Sequence, residues 1–216
     1  MYHNHNFQFY FKIIYIQMTN PPKYYLVHSI VAPSSEKMLK ILQDGYLYAS
    51  SYSGLQGISG IPLDYVYFTL LGDSQAAMGG FKLILDIKIL YKRSFRYALS
   101  WVGSSIESTT KVNPRKDDVD AVLDEINDYI VETKQDGTCL LPGLHEIIIK
   151  KKVDLHKYLR VVCYRDKLSE QVINFIQDNY PGVIIINDFP KSASELNKII
   201  DNTLIMYYPK IIIESI

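Results

Sequence analysis

Three places in the chain put side chains capable of chemistry at the ends of short apolar runs. His28-Ser29 closes the run Tyr24-Tyr25-Leu26-Val27, where a strand hands over to a loop and both side chains and main-chain groups commonly meet a ligand. The imidazole there either hydrogen-bonds within the sheet or offers a nitrogen to a bound molecule. Tyr65-Val66-Tyr67-Phe68 follows a Ser- and Gly-rich stretch at 50–60. A period of two puts Tyr65 and Tyr67 on one face, where they either fill a core or stack on a flat ring. Glu146 comes just after Leu141-Pro142-Gly143 and opens the run Ile147-Ile148-Ile149. It is either a solvated strand end or a carboxylate held toward a cleft by a rigid element. Its neighbour His145 cannot join it in a direct dyad, because adjacent residues on a strand point to opposite faces.

These groups need elements to position them. Residues 24–29 are aromatic and β-branched and read as a strand. Pro33-Ser34 then opens a helix in which Met38, Leu39, Ile41 and Leu42 share a face, and Gly45 supplies a left-handed stop. Residues 64–69 read as a second strand. Residues 81–90 read as a third, with Lys82, Asp86 and Lys88 alternating onto a solvated face. Residues 117–132 carry apolar side chains at three- and four-residue steps and predict an amphipathic helix with an acidic first turn. Further strands are expected at 145–149 and 159–164. Beyond these come a helix after Ser169, a buried strand at 183–186, and a helix begun by a Ser192-x-x-Glu195 capping box. Strands outnumber helices and follow one another without regular alternation, which predicts an α+β fold. Residues 1–22 read as a leader or edge strand, 23–164 as the main domain, and 165–216 as a C-terminal α/β extension packed on it.

Composition narrows the classes of function. The 216 residues carry 23 basic and 23 acidic side chains, a formal net charge of zero. Duplex binding needs a surplus of Lys and Arg, so the balance disfavours nucleic acid as a partner and favours a protein. The basic triplet Lys150-Lys151-Lys152 reads as a solvated turn. The two cysteines, Cys139 and Cys163, form neither a Cys-x-x-Cys pair nor a ligand set with histidine. Neither a disulfide framework nor a metal site is expected, and the thiols read as buried in a reducing compartment. No apolar run reaches the ~20 residues that span a bilayer, and 7–16 lacks the flanks of a secretory signal. The expected setting is intracellular and cytoplasmic, away from the membrane.

Taken in order, the motifs resemble the ADP-ribosyltransferase superfamily of the diphtheria-toxin and poly(ADP-ribose) polymerase type over residues 24–164. That pattern has a first strand ending in His followed by Gly or Ser, then a helix ending in a form like Ile-Leu-x-x-Gly-Leu. The counterparts are His28-Ser29 and Ile41-Leu42-Gln43-Asp44-Gly45-Tyr46-Leu47. A Gly-rich loop and a Val-Tyr-Phe strand follow, as 57–60 and Val66-Tyr67-Phe68 do here. The closing Glu-x-Ile-Val strand and Val-x-Leu-x-Tyr-Leu turn are matched by Glu146-Ile147-Ile148-Ile149 and Val153-Asp154-Leu155-His156-Lys157-Tyr158-Leu159.

The resemblance implies split antiparallel β-sheets flanked by helices, NAD as co-substrate without a metal, and transfer of ADP-ribose to a macromolecular acceptor. It implies that Glu146 stabilises the charged ribose, that His28 holds the adenosine-side ribose, and that the Ser29 backbone meets the carboxamide. Tyr67 would line the nicotinamide pocket. The second tyrosine of the pattern is missing from 74–81, leaving Met78, Phe81, Tyr65, Tyr52 or Tyr48 to take its place. Leu144 stands two residues before Glu146, where arginine-modifying relatives carry Gln or Glu, which argues against an arginine acceptor. A transferase fold serving only as a binding module is the competing reading, and a transferase that modifies nucleic acid is the weaker one.

Overall fold

The computed structural model describes residues 21–30, 34–49, 64–74, 80–100, 106–136, 143–165 and 167–207. The first strand, β1 (Tyr25–Ile30), leads to helix α1 (Ser35–Asp44) and the short β2 (Tyr46–Tyr48). Ser34 caps α1 by accepting from the Lys37 N–H, and Gly45 ends it at φ 70°. β3 (Tyr65–Leu71), β4 (Phe81–Asp86), β5 (Phe95–Ala98) and β6 (Thr110–Val112) follow. Helix α2 (Val119–Asp136) then leads to β7 (Glu146–Lys150) and β8 (Lys152–Asp154). The turn α3 (Leu155–Tyr158), β9 (Leu159–Cys163), α4 (Glu170–Asn179), β10 (Ile184–Ile186) and α5 (Ala193–Tyr207) complete the described chain.

Eight strands form one sheet in the order β10-β9-β4-β1-β3-β7-β5-β6, while β2 and β8 make a separate ribbon. Within the large sheet neighbouring strands run antiparallel, except β9 and β10, which are parallel. Alternation along the strands sorts their side chains onto two faces. One face supplies Leu26, Phe68, Leu70, Leu83, Leu85, Ile147 and Ile149 to the main core, where Met38 and Leu42 of α1 and Leu123, Ile126 and Ile130 of α2 also lie. On the other face, Tyr25, Val27, Leu71, Ile84, Val161 and Cys163 pack with Phe189, Ala193 and Leu196 from the C-terminal elements.

That second layer corrects the reading of residues 81–90. Lys82 and Asp86 do alternate together, but each is only 3% exposed, because the Phe189 to Leu196 layer covers their face. The strand also stops at Asp86, whose carboxylate accepts from the Lys88 N–H and caps a 3-10 turn, Ile87–Ile89. The same carboxylate receives Arg160 Nη2 at 2.9 Å. β10 likewise is a partly buried strand at the sheet's edge and not a buried one. The thiol of Cys163 is buried; Cys139 and residues 1–20 of the leader expected at 1–22 fall outside the described residues.

Candidate active site

β3 changes partners along its length, and the change opens a fork in the sheet. Its C-terminal half pairs with β1, Thr69 with Val27 through Leu71 with Tyr25. Its N-terminal half pairs instead with β7, Tyr65 with Lys150 through Phe68 with Ile147. From His28 onward β1 stays with β4 alone, His28 opposite Leu83 and Ser29 opposite Lys82. The β1 edge at 28–30 thus has no strand partner on its β3 side among the described residues.

His28 stands in the crotch of this fork. Its Nδ1 lies 2.8 Å from the carbonyl oxygen of Tyr67, and its ring sits 5.7 Å from that of Phe68. A carbonyl only accepts, so Nδ1 carries the proton and Nε2 of the neutral ring is left as an acceptor. Burial pushes the imidazole below its ordinary pKa, with Lys37 adding to the effect and the Tyr67 carbonyl opposing it. The ring is therefore neutral at physiological pH and suited to receive a hydroxyl.

Tyr65, Tyr67 and Glu146 project from one face beside the fork. Register fixes this: Tyr67 is opposite Ile148, and Glu146 lies two residues before Ile148 on the same side. Both tyrosines, like Ile106, pack against the cluster of Ala98 and Ile148. Glu146 is buried at 7% exposure, next to Ala98 of β5. The Tyr67 phenol is held well above its usual pKa, first by burial, then by the Glu146 carboxylate and by Tyr65. It stays protonated throughout the physiological range. Ser29 alternates onto this same face, while His28 enters the fork from the other.

Other candidates fall away from the fork. Phe81 is buried in the main core, and Tyr48 is 38% exposed on the β2–β8 ribbon with Lys152 Nζ 5.9 Å from its ring. Met78 and Tyr52 lie outside the described residues; among the described residues, Tyr65 is the aromatic side chain that shares the Glu146 face of β3 with Tyr67. Lys150, Lys151 and Lys152 are exposed, and Arg93 donates to the carbonyls of Lys150 and Lys152.

Two cations near the fork carried no readable signal in the sequence. Arg96, opposite Ile148, is engaged by Thr109 and the Ile106 carbonyl, fastening the turn beside the tyrosines. Lys82, beside Ser29, lies 4.3 Å from the Phe189 ring, and burial lowers its pKa to about 8. Among the described residues no three His, Cys, Asp or Glu side chains gather as a metal ion requires.

A family of unknown function, DUF5846, matches residues 22–126. Uncharacterized protein L54 of Acanthamoeba polyphaga mimivirus is 55% identical over 179 residues, covering 83% of this chain and 98% of L54. The chain belongs to the L54 family. L28 of the same virus is 46% identical over 104 residues, 48% of this chain and 99% of L28. Among solved structures, DarT of Thermus sp. 2.9 in complex with NAD+ aligns over 77% of this chain and 96% of its own, at TM-score 0.50 and 12% identity. DarTG of Thermosipho africanus in complex with ADP-ribose aligns at TM-score 0.45 and 11% identity over 76% of this chain, which spans about half of that protein, 48%. This L54 relative thus has an α+β fold like that of the DarT structure. No helix among its described residues is long and apolar enough to cross a membrane.

Proposed function

We propose that the chain is an NAD-dependent ADP-ribosyltransferase. The observation that supports the reading is the fork between β1 and β3, with the neutral His28 ring entering it from one face and Ser29, Tyr65, Tyr67 and Glu146 standing on the other. The donor set suits NAD. His28 Nε2 would accept from the adenosine-side ribose, the Ser29 main chain would meet the carboxamide, and the tyrosines would flank the nicotinamide ring. Glu146 would accept from a hydroxyl of the other ribose and stabilise the positive charge that grows there as the glycosidic bond breaks. Nicotinamide leaves with the electron pair of that bond, an acceptor nucleophile bonds to the ribose carbon, and its proton is released. A fixed carboxylate in a place poor in water acts on the transition state without reorganising, and such a group is worth roughly 3–4 kcal/mol.

For the acceptor, the even charge balance favours a protein over nucleic acid. Leu144 before Glu146 offers no polar group to orient an arginine. NAD labelled on the adenylate, incubated with the full chain and either protein extract, DNA or RNA, should give nicotinamide and a labelled macromolecule. Glu146→Gln should slow nicotinamide release about 10²–10³-fold, the size of a lost electrostatic stabiliser, with NAD affinity nearly unchanged. A Glu146→Gln chain as fast as the parent would overturn the proposal. One observation favours a second reading, a transferase fold that only binds: no tyrosine occupies 74–81 and Phe81 belongs to the core. Calorimetry with NAD separates the two, since submillimolar affinity that depends on His28 contradicts a module that has lost NAD.

A further inference from the structure

Immediately before Glu146, His145 is completely buried, and both of its ring nitrogens are spent on the backbone. Nδ1 lies 2.7 Å from the Gly143 carbonyl oxygen, so it carries the proton. Nε2 accepts the Leu70 N–H at 2.6 Å. The strand pairing explains why a ring is needed there. Continuing the β3–β7 register from Phe68 opposite Ile147 brings Glu146 opposite Thr69 and His145 opposite Leu70. The β3–β7 pairing closes at Phe68–Ile147 and β7 itself begins at Glu146, so the ladder stops before it reaches Leu70 and the imidazole takes the N–H that a further rung would have taken. On its other side the ring ties the chain entering β7, at Gly143 with φ 72°, where a Cβ would stand 3.0 Å from Ile130 of α2.

We infer that His145 is the positioning residue for Glu146: its buried ring clamps the start of β7 to the Leu70 N–H of β3 and to the Gly143 carbonyl, and so fixes where the neighbouring carboxylate stands relative to Tyr67. The inference rests on the proposed role of Glu146. The two side chains leave the strand on opposite faces, so His145 acts through the backbone and touches no reactant. Tyr67 lies three residues from Leu70 on the same strand, which makes the β3–β7 spacing at this point the separation between the two groups that face the fork. Other charges reach the ring weakly. Lys134 of α2 is the charged group that acts on it, while its β3 neighbours Phe68 and Leu70 are apolar.

The test uses the full chain with three substitutions. His145→Leu keeps bulk and loses both bonds, His145→Gln retains an acceptor within reach of the Leu70 N–H, and His145→Asn retains a donor toward Gly143. A misplacement of the carboxylate by about 1 Å should lower kcat for nicotinamide release roughly 10- to 100-fold in His145→Leu, with KM for NAD within about threefold. His145→Gln should recover most of that loss and His145→Asn less. Leu70 amide exchange, read by NMR without NAD, should accelerate in the Leu and Asn variants and stay slow in the Gln variant. In a Glu146→Gln background the His145 substitutions should change kcat by less than about twofold, because groups that act as one unit are not additive. If Glu146→Gln slows turnover and the His145 variants do not, or if their losses multiply, the positioning role is overturned and the transferase reading stands. If Glu146→Gln itself leaves turnover intact, both fall. Should His145→Leu fail to fold, the Gln and Asn pair still decides, since equal kcat in those two contradicts a clamp through Leu70.

Discussion

At the scale of single residues, the sequence singles out a residue by its type and spacing and says nothing of what surrounds it. His28, Tyr67 and Glu146 stand out as a histidine ending a strand, a Tyr-Phe strand and an acid opening an isoleucine run; the structure puts them beside the fork, and their roles there are the proposal. Lys82 and Asp86 do not lie on the solvated face expected of them, since alternation alone cannot tell such a face from one covered by a layer more than 100 residues later in the chain. His145 was visible as a strand neighbour, yet only the three-dimensional path of β3 supplies the N–H it binds. His28 then carries its own expectation. Its Nδ1 proton is committed to the Tyr67 carbonyl, so the neutral Nε2 is what a ribose hydroxyl would meet. His28→Ala should weaken NAD binding roughly tenfold by calorimetry, the value of one hydrogen bond of about 1–1.5 kcal/mol. An unchanged Kd would remove His28 from the NAD site.

At the scale of elements, caps and turns were the readable part. Ser34 and Gly45 bracket α1 as their types demand. What no local pattern conveys is that the αL residue Gly45 is also a docking point: its carbonyl accepts the Leu155 N–H, and the His156 ring lies against its Cα, stacked on Tyr180 at 4.5 Å. Tyr180 in turn donates to the Leu42 carbonyl. One turn thus joins α1, the α3 turn and the end of α4. A Cβ at Gly45 would stand 2.7 Å from His156 Nε2, inside contact distance, at a φ that side chains resist. Gly45→Ala should cost about 1–2 kcal/mol for the left-handed backbone alone, plus the displacement of His156. Denaturant titration checks this. The double variant Gly45→Ala with His156→Ala should lose less than the sum of the singles, because the first clash disappears with the ring.

For the molecule as a whole, the two-faced sheet was legible as an α+β chain of many strands, but the fork was not, because a strand that changes partners midway has the same sequence pattern as one that does not. That architecture keeps two histidines neutral, His145 buried and His28 half-buried, and their titration sets how the fold responds to acid. Burial lowers His145 to about 4, with Lys134 reinforcing the shift and the Gly143 carbonyl opposing it, and His28 is shifted in the same direction. In the unfolded chain both titrate near 6.5. Between those values the unfolded state takes up protons that the native state refuses, so stability is complete above about pH 6.5 and declines as pH falls toward 4. For His145 the interval corresponds to roughly 3 kcal/mol, a large share of the 5–15 kcal/mol that holds a typical domain. Protonation at Nε2 would also expel the Leu70 N–H, so the same proton that weakens the fold releases the start of β7. Urea titrations at pH 7 and pH 4.5 should differ by a few kcal/mol in the parent chain and by clearly less in His145→Gln, which has no proton to gain. Equal stability of the parent at both pH values would mean that the ring is not held neutral in the fold.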